Sequence, residues 1–248
     1  MMKLFYNLQR GVGLLVFCTI LLSACVNHIS EEEEDSVNNG DIPLKFTADI
    51  HEVTYTRVAG NGFEENDEVG VFALVGSSTM KEERYADNLR FFRTSEKVFE
   101  SSEPIYYPDD EVTLRLISYY PYQEEGVNMG ESTMSVAVET DQNLSAGYFC
   151  SDFLVASQNL QSAPKGAIAL HYDHKFFKLK IALVGKEGEE LQGILDADPK
   201  LSVCGFYTKA IYDFQKETYS AFSNEKSITP AGKWEIQGDR LSGKEVIL

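Results

Sequence analysis

Histidine and cysteine occur four times each and tryptophan once in 248 residues. That scarcity removes most catalytic and metal chemistries at the outset. The chain has no His-Glu-x-x-His helix for a zinc hydrolase, no Gly-x-Ser-x-Gly turn for a serine nucleophile and no Gly-x4-Gly-Lys-Ser/Thr loop for a nucleotide phosphate. Gly60-Asn61-Gly62 is too short for a phosphate loop and reads as a turn. His171 and His174 stand three apart, a spacing that would pair two ligands on a helix but sends them to opposite faces of a strand. They read as structural residues, and no metal, cofactor or catalytic residue is expected. Basic residues are also short, 22 against 39 acidic for a net charge of −17, which excludes nucleic acid as a partner. The lone Trp234 offers little for stacking on sugars, although thirteen tyrosines remain. The apolar run Gly11 to Leu22 has 12 residues, where a membrane-spanning helix needs ~20.

What is present begins with that run. Lys3 and Arg10 precede it and Leu22-Ser23-Ala24-Cys25 follows it, so residues 1–24 read as a secretory signal peptide. Leu-Ser-Ala-Cys resembles the lipobox of bacterial lipoproteins. The resemblance implies cleavage before Cys25, acylation of its thiol and a lipid anchor in the membrane; the alternative is ordinary secretory cleavage after Ala24. Two or three acyl chains hold a protein stably, at ~0.8 kcal/mol per buried methylene. Loss of Lys3 and Arg10 makes the mature chain more acidic still, which favours a domain standing off the bilayer. Residues 25–40 carry Glu31, Glu32, Glu33, Glu34 and Asp35, then Ser36, Asn38, Asn39 and Gly40. Such a composition cannot bury a core and reads as a flexible acidic tether. An acidic run so soon after a lipidated cysteine resembles the export signal of surface-displayed lipoproteins in certain Gram-negative anaerobes, which implies the outer face of the outer membrane; the alternative is retention in the periplasm.

From Asp41 onward short apolar or alternating runs are separated by turn residues. Leu44, Phe46, Ala48 and Ile50 recur at period two with Lys45, Thr47 and Asp49 between them, the mark of a half-buried strand. Glu68–Leu74, Leu89–Thr94, Val112–Tyr119, Phe153–Ala156, Ala167–Tyr172, Phe176–Leu183 and Leu201–Tyr207 are further strands, punctuated by turns such as Asp109-Asp110. The alternation changes phase at Phe176-Phe177, which predicts a bulge or a strand boundary. Only Gly185–Pro199 is weakly helical. The expected fold is all-β, an antiparallel sandwich with Greek-key connections in two lobes, 41–184 and 185–248. Of the four cysteines, Cys18 leaves with the signal and Cys25 is acylated. Cys150 and Cys204 remain in an oxidising compartment and could form a disulfide; the alternative is two buried thiols in separate lobes.

Several blocks in order resemble the fimbrillin family: Thr56-Arg57, Glu68-Val69-Gly70-Val71-Phe72-Ala73, Ile105-Tyr106-Tyr107-Pro108, Ser118-Tyr119-Tyr120-Pro121-Tyr122, Ser151-Asp152-Phe153-Leu154-Val155-Ala156, and His174 before Lys178-Leu179. The resemblance implies a lipoprotein of two transthyretin-like β-sandwich domains that serves a type V pilus as structural subunit, tip adhesin or anchor, and not as an enzyme. It also implies pilin partners joined by strand donation after proteolysis at an arginine behind the first strand, for which Arg57 is the candidate unless it is an exposed arginine with no processing role, and a host or glycan receptor. Family members run longer, so 185–248 reads as an incomplete second domain, either truncated or with its last strand, Glu245-Val246-Ile247-Leu248, completed by or given to another subunit. The other function class is a glycan-binding surface lipoprotein of a nutrient-uptake system.

Overall fold

The computed structural model describes residues 42–51, 62–108 and 112–248. Cys25, the acidic run, Arg57, Gly60-Asn61 and Asp109-Asp110 lie outside the described residues.

Two strands set the plan. Through β1 (Phe46–Ile50) and the two residues before it, Leu44 and Phe46 are buried while Lys45, Thr47 and Asp49 are exposed, so the segment covers one side only. In β2 (Glu68–Val75) the six residues Val69 to Leu74 are all buried, and such a run needs a cover on both faces. The cover is built from β3 (Ala86–Arg93), β4 (Phe99–Ser101), β5 (Leu114–Tyr120), β6 (Thr133–Ala137), helix α1 (Ser145–Cys150), β7 (Leu154–Leu160), β8 (Ile168–His174), β9 (Lys178–Val184), helix α2 (Leu191–Asp196), β10 (Tyr207–Asp213), β11 (Thr218–Glu225), β12 (Glu235–Gln237) and β13 (Arg240–Ile247).

Seven strands in the order β1-β4-β3-β2-β5-β7-β8 close into a barrel. Val69, Val71 and Ala73 join Phe46, Phe91, Phe99, Leu114, Leu116, Leu154, Leu170 and Tyr172 in its interior. The alternate residues of the same wall, Phe72, Leu74, Ile117, Tyr119 and Val155, meet Met134, Val136, Ala210, Tyr212 and Phe214 in a second core. The sheet β11-β10-β6 therefore lies across the outer face of β2, β5 and β7. A side chain of Leu or Phe size gains about 1.5–3 kcal/mol on full burial, and the central wall collects that on both faces. Arg84 is buried beside it, with its guanidinium 5.2 Å from the Phe72 ring and donating to the carbonyl oxygens of Val127, Asn128 and Glu131. Gly70 is required by close approach: a Cβ there would stand 2.2 Å from the Tyr119 ring, whose hydroxyl donates to Asn88 at 2.7 Å. The third sheet, β12-β13-β9, packs Val246 and Ile247 with Val138 and Ile228.

The structure revises the expected fold in places. The fold is all-β, but it is not a purely antiparallel sandwich, because the barrel closes through a parallel ladder between β1 and β8. Asn38–Leu248 form one compact unit, and across residue 185 β10 pairs with β6 and β13 pairs with β9. The charged, glycine-bearing stretch 185–199 holds the surface helix α2 and its turns, in keeping with its weak helical pattern. Leu201–Tyr207 is irregular, with one bridge from Val203 to Ile228, and the strand starts at Tyr207. Phe176-Phe177 is the strand-boundary alternative, since β8 ends at His174 and β9 starts at Lys178. The terminal Glu245-Val246-Ile247 belongs to β13, and Gln142 receives and returns backbone hydrogen bonds with Ile247, both at 2.8 Å.

Candidate functional site

The seam where β1 closes the barrel brings His51 and His171 together with Asp49 and Asp173. On one side β1 forms five register pairs with β8, from Phe46 opposite Ile168 to Ile50 opposite Tyr172. On the other its ladder with β4 has the single pair Phe46 opposite Phe99. Backbone bonds at the strand ends add Leu44 N–H to Ile105 O and His51 N–H to Tyr172 O, each at 2.8 Å.

The two faces of β1 have opposite chemistry. Inward, the Phe46 ring stacks on Phe99 at 5.1 Å and meets Phe91 at 4.9 Å. Phe63, the first buried residue after the undescribed segment, plugs the same space against Phe99, Tyr120 and Tyr172 at 5.0–5.4 Å. Tyr172 is wholly buried and donates to or accepts from Ser118 Oγ at 2.6 Å. Burial pushes its phenol well above the usual range, against the pull of that hydrogen bond. Outward, the β1 side chains pair in a row. Lys45 Nζ meets Glu100 at 2.6 Å, His171 Nδ1–H donates to Asp49 at 2.6 Å, and His51 Nδ1–H donates to Asp173 at 2.8 Å. The His51 and His171 rings stack at 5.6 Å with 4° between their planes, and all four of these His and Asp side chains are more than half exposed.

His174 goes elsewhere, donating to Asp152 at 2.7 Å, so His171 and His174 have separate carboxylate partners. Among the described residues no group of three or more His, Cys, Asp or Glu side chains could hold a metal ion. No helix of the described residues is long and apolar enough to cross a membrane. Cys150 and Cys204 are unbridged and exposed. Burial is overturned for both, because Cys150 ends the surface helix α1 and Cys204 stands in the loop before β10, 3.2 Å from Ser227 Oγ. Trp234 is buried with its indole N–H on Pro199 O at 2.8 Å, so it presents no ring to solvent. Among the exposed rings of the described residues are those of Phe206, Tyr207 and Phe222, with Tyr207 and Phe222 6.3 Å apart. Sequence reasoning missed this patch because Thr218–Glu225 has no apolar alternation. The pairing of Asp49 with His171 was out of reach for another reason, the 122 residues between them.

A family model for fimbrillin-like proteins matches residues 56–248. The candidate fimbrium subunit Fim1C of Bacteroides uniformis is 24% identical over 209 residues, covering 80% of this chain, and the chain spans 64% of that relative's length. Two solved structures share the fold: a candidate cell adhesion protein from Bacteroides ovatus, with a TM-score of 0.58, 16% identity and coverage of 83% of this chain and 77% of its own, and another from Bacteroides uniformis, with 0.54, 19%, 82% and 73%.

Proposed function

Because this chain belongs to the fimbrillin-like family, we propose that it is a subunit of a surface pilus in which β1 is a temporary strand, removed after cutting at Arg57 and replaced by a strand from another subunit. Fimbrial and adhesive character comes with the family; donor-strand exchange and the role of stalk, tip or anchor are the proposal. The observation that carries it is the build of the seam. β1 fills the barrel with Leu44 and Phe46 but has one extended ladder, on β8, and an outer face in water. Its removal would uncover Phe91 and Phe99 and a row of unpaired backbone groups on β8, a template that captures another strand. In sequence Arg57 falls between Ile50, where β1 ends, and the Phe63 plug. On this reading the barrel and its covering sheet correspond to a transthyretin-like, Greek-key domain. Cys25 carries the lipid, and Glu31 to Asp35 direct the protein across the outer membrane.

The test treats the purified mature protein with an arginine-specific protease and measures mass and oligomers. Cleavage after Arg57 followed by polymer formation supports the proposal; a chain that resists cutting there, or is cut and stays monomeric, refutes it. For the anchor, Cys25→Ala should leave an unacylated product in the soluble fraction, and continued palmitate labelling at the N-terminus contradicts lipidation at Cys25.

One observation favours a second reading, a glycan-binding surface lipoprotein: Tyr207 and Phe222 are exposed side by side. That reading requires monomer retention on saccharide columns, lost on Tyr207→Ser with Phe222→Ser.

A further inference from the structure

We propose that the seam selects its replacement strand by charge as well as by shape. It accepts a strand of another subunit, running parallel to β8, that reads basic, large apolar, any residue, small apolar, acidic, apolar, imidazole or basic. The inference rests on the strand-replacement reading above and names the partner's chemistry.

The inward half of the pattern is set by what β1 fills. Phe46 sits between Phe91 and Phe99, and Ala48 and Ile50 follow at period two against the same core. Shape alone leaves the register open. A slip of one residue turns the apolar face to water and is excluded by the alternation, but a slip of two keeps every apolar residue inward. The outward row closes that gap. In the observed register Glu100 meets Lys45, His171 meets Asp49 and Asp173 meets His51. A slip of two in one direction puts Asp49 opposite Asp173; in the other it puts His51 opposite His171. The first slip sets two carboxylates against each other, and either slip breaks both His–Asp pairs, although the His51 and His171 rings already touch in the observed register. The charged groups facing the row are Lys175, 3.9 Å from Asp173 and 3.4 Å from Glu217, and Glu217 itself. They extend the alternation of sign beyond β8, and the first slip brings His51 opposite Lys175.

Exposed pairs of this kind add little stability. Their effect is discrimination between partners and registers, which depends on the penalty for the wrong arrangement. That separates this row from a stabilising network, and it explains why four half-exposed side chains are paired across two strands that meet only in the closed barrel.

The experiment uses the mature chain with the recognition sequence of an unrelated site-specific protease in place of Thr56-Arg57, so that release of β1 does not depend on processing at Arg57. Two labelled peptides are offered after cutting: Leu-Lys-Phe-Thr-Ala-Asp-Ile-His, and the same peptide with its Asp and His exchanged. The expected result is about fivefold tighter capture of the first, with the preference inverted on a chain carrying His171→Asp and Asp173→His. In the uncut chain the same double substitution should lower amide protection of residues 46–50, and adding Asp49→His with His51→Asp should restore it. Equal capture of the two peptides, or protection that the double substitution leaves unmoved, overturns the proposal alone. Capture of neither peptide overturns the strand-replacement reading and the proposal with it.

Discussion

β1 and β2 are strands of the same barrel and line the same core, yet they are held in different ways. β2 is paired along its length by β3 and β5, and its six central residues are buried. Its inner face fills the barrel and its outer face fills the second core. β1 has one extended ladder, one buried face and one face of exposed ion pairs. A strand covered on both faces cannot leave without opening two cores, whereas a strand covered on one face leaves a single groove that another strand can refill. On the proposed strand-replacement reading, the difference separates the permanent part of this barrel from the exchangeable part.

The largest effect is expected at Phe72, which stacks on Tyr119 at 5.8 Å and meets Phe214 at 5.9 Å. Phe72→Ala should cost about 3–5 kcal/mol of global stability in urea denaturation. Phe46→Ala removes a ring of the same size at 1% exposure, but its global cost should be smaller. The loss cannot exceed the free energy of opening β1 alone, since the rest of the barrel can persist with β1 detached. Equal losses in the two variants would break the comparison.

Gly70→Ala sharpens it from the outer face of β2. The added methyl meets the Tyr119 ring, and overpacking should cost about 1–3 kcal/mol without raising exchange in β1. The smallest effect concerns the sheet that covers that face. Asp213 at the end of β10 accepts from Ser132 Oγ at 2.9 Å and from the backbone N–H of Gln215 and Lys216 at 3.0 and 3.3 Å. Burial pushes its carboxyl up, but these hydrogen bonds outweigh burial and hold it below the usual carboxylate value. A folded-state pKa below the unfolded one stabilises fully above the unfolded value, near 3.9, and that contribution is lost as pH falls through the folded value. Asp213→Asn should therefore cost about 1–2 kcal/mol at pH 7 and less at pH 2, read from denaturation at both pH values.

The sequence made β1 and β2 legible because their burial is local: alternation around Phe46 and an unbroken apolar run through Val69–Leu74 are periodicities within one strand. β6 was missed although Met134 and Val136 alternate with polar neighbours; it is five residues long and its signal was overlooked. β11 left no signal, since almost every residue from Thr218 to Glu225 is exposed. Helix α1 has no side-chain cap, so the usual start marker was absent. The closure of the barrel was not readable at all. Nothing in Lys45–His51 taken alone indicates that β8 will run parallel to it, and the paired histidines and aspartates become a site only once that closure exists. Cys25 and Arg57, by contrast, were readable as motifs and lie outside the described residues.

Native-state hydrogen exchange on the uncut mature chain tests the central claim most directly, by comparing amides of residues 46–50 with those of residues 69–74 across low concentrations of urea. The account predicts that β1 exchanges through a local opening with little urea dependence, while β2 exchanges only with global unfolding and its full urea dependence. If both segments show the same opening free energy and the same urea slope, β1 is as permanent as β2 and the exchangeable seam does not exist.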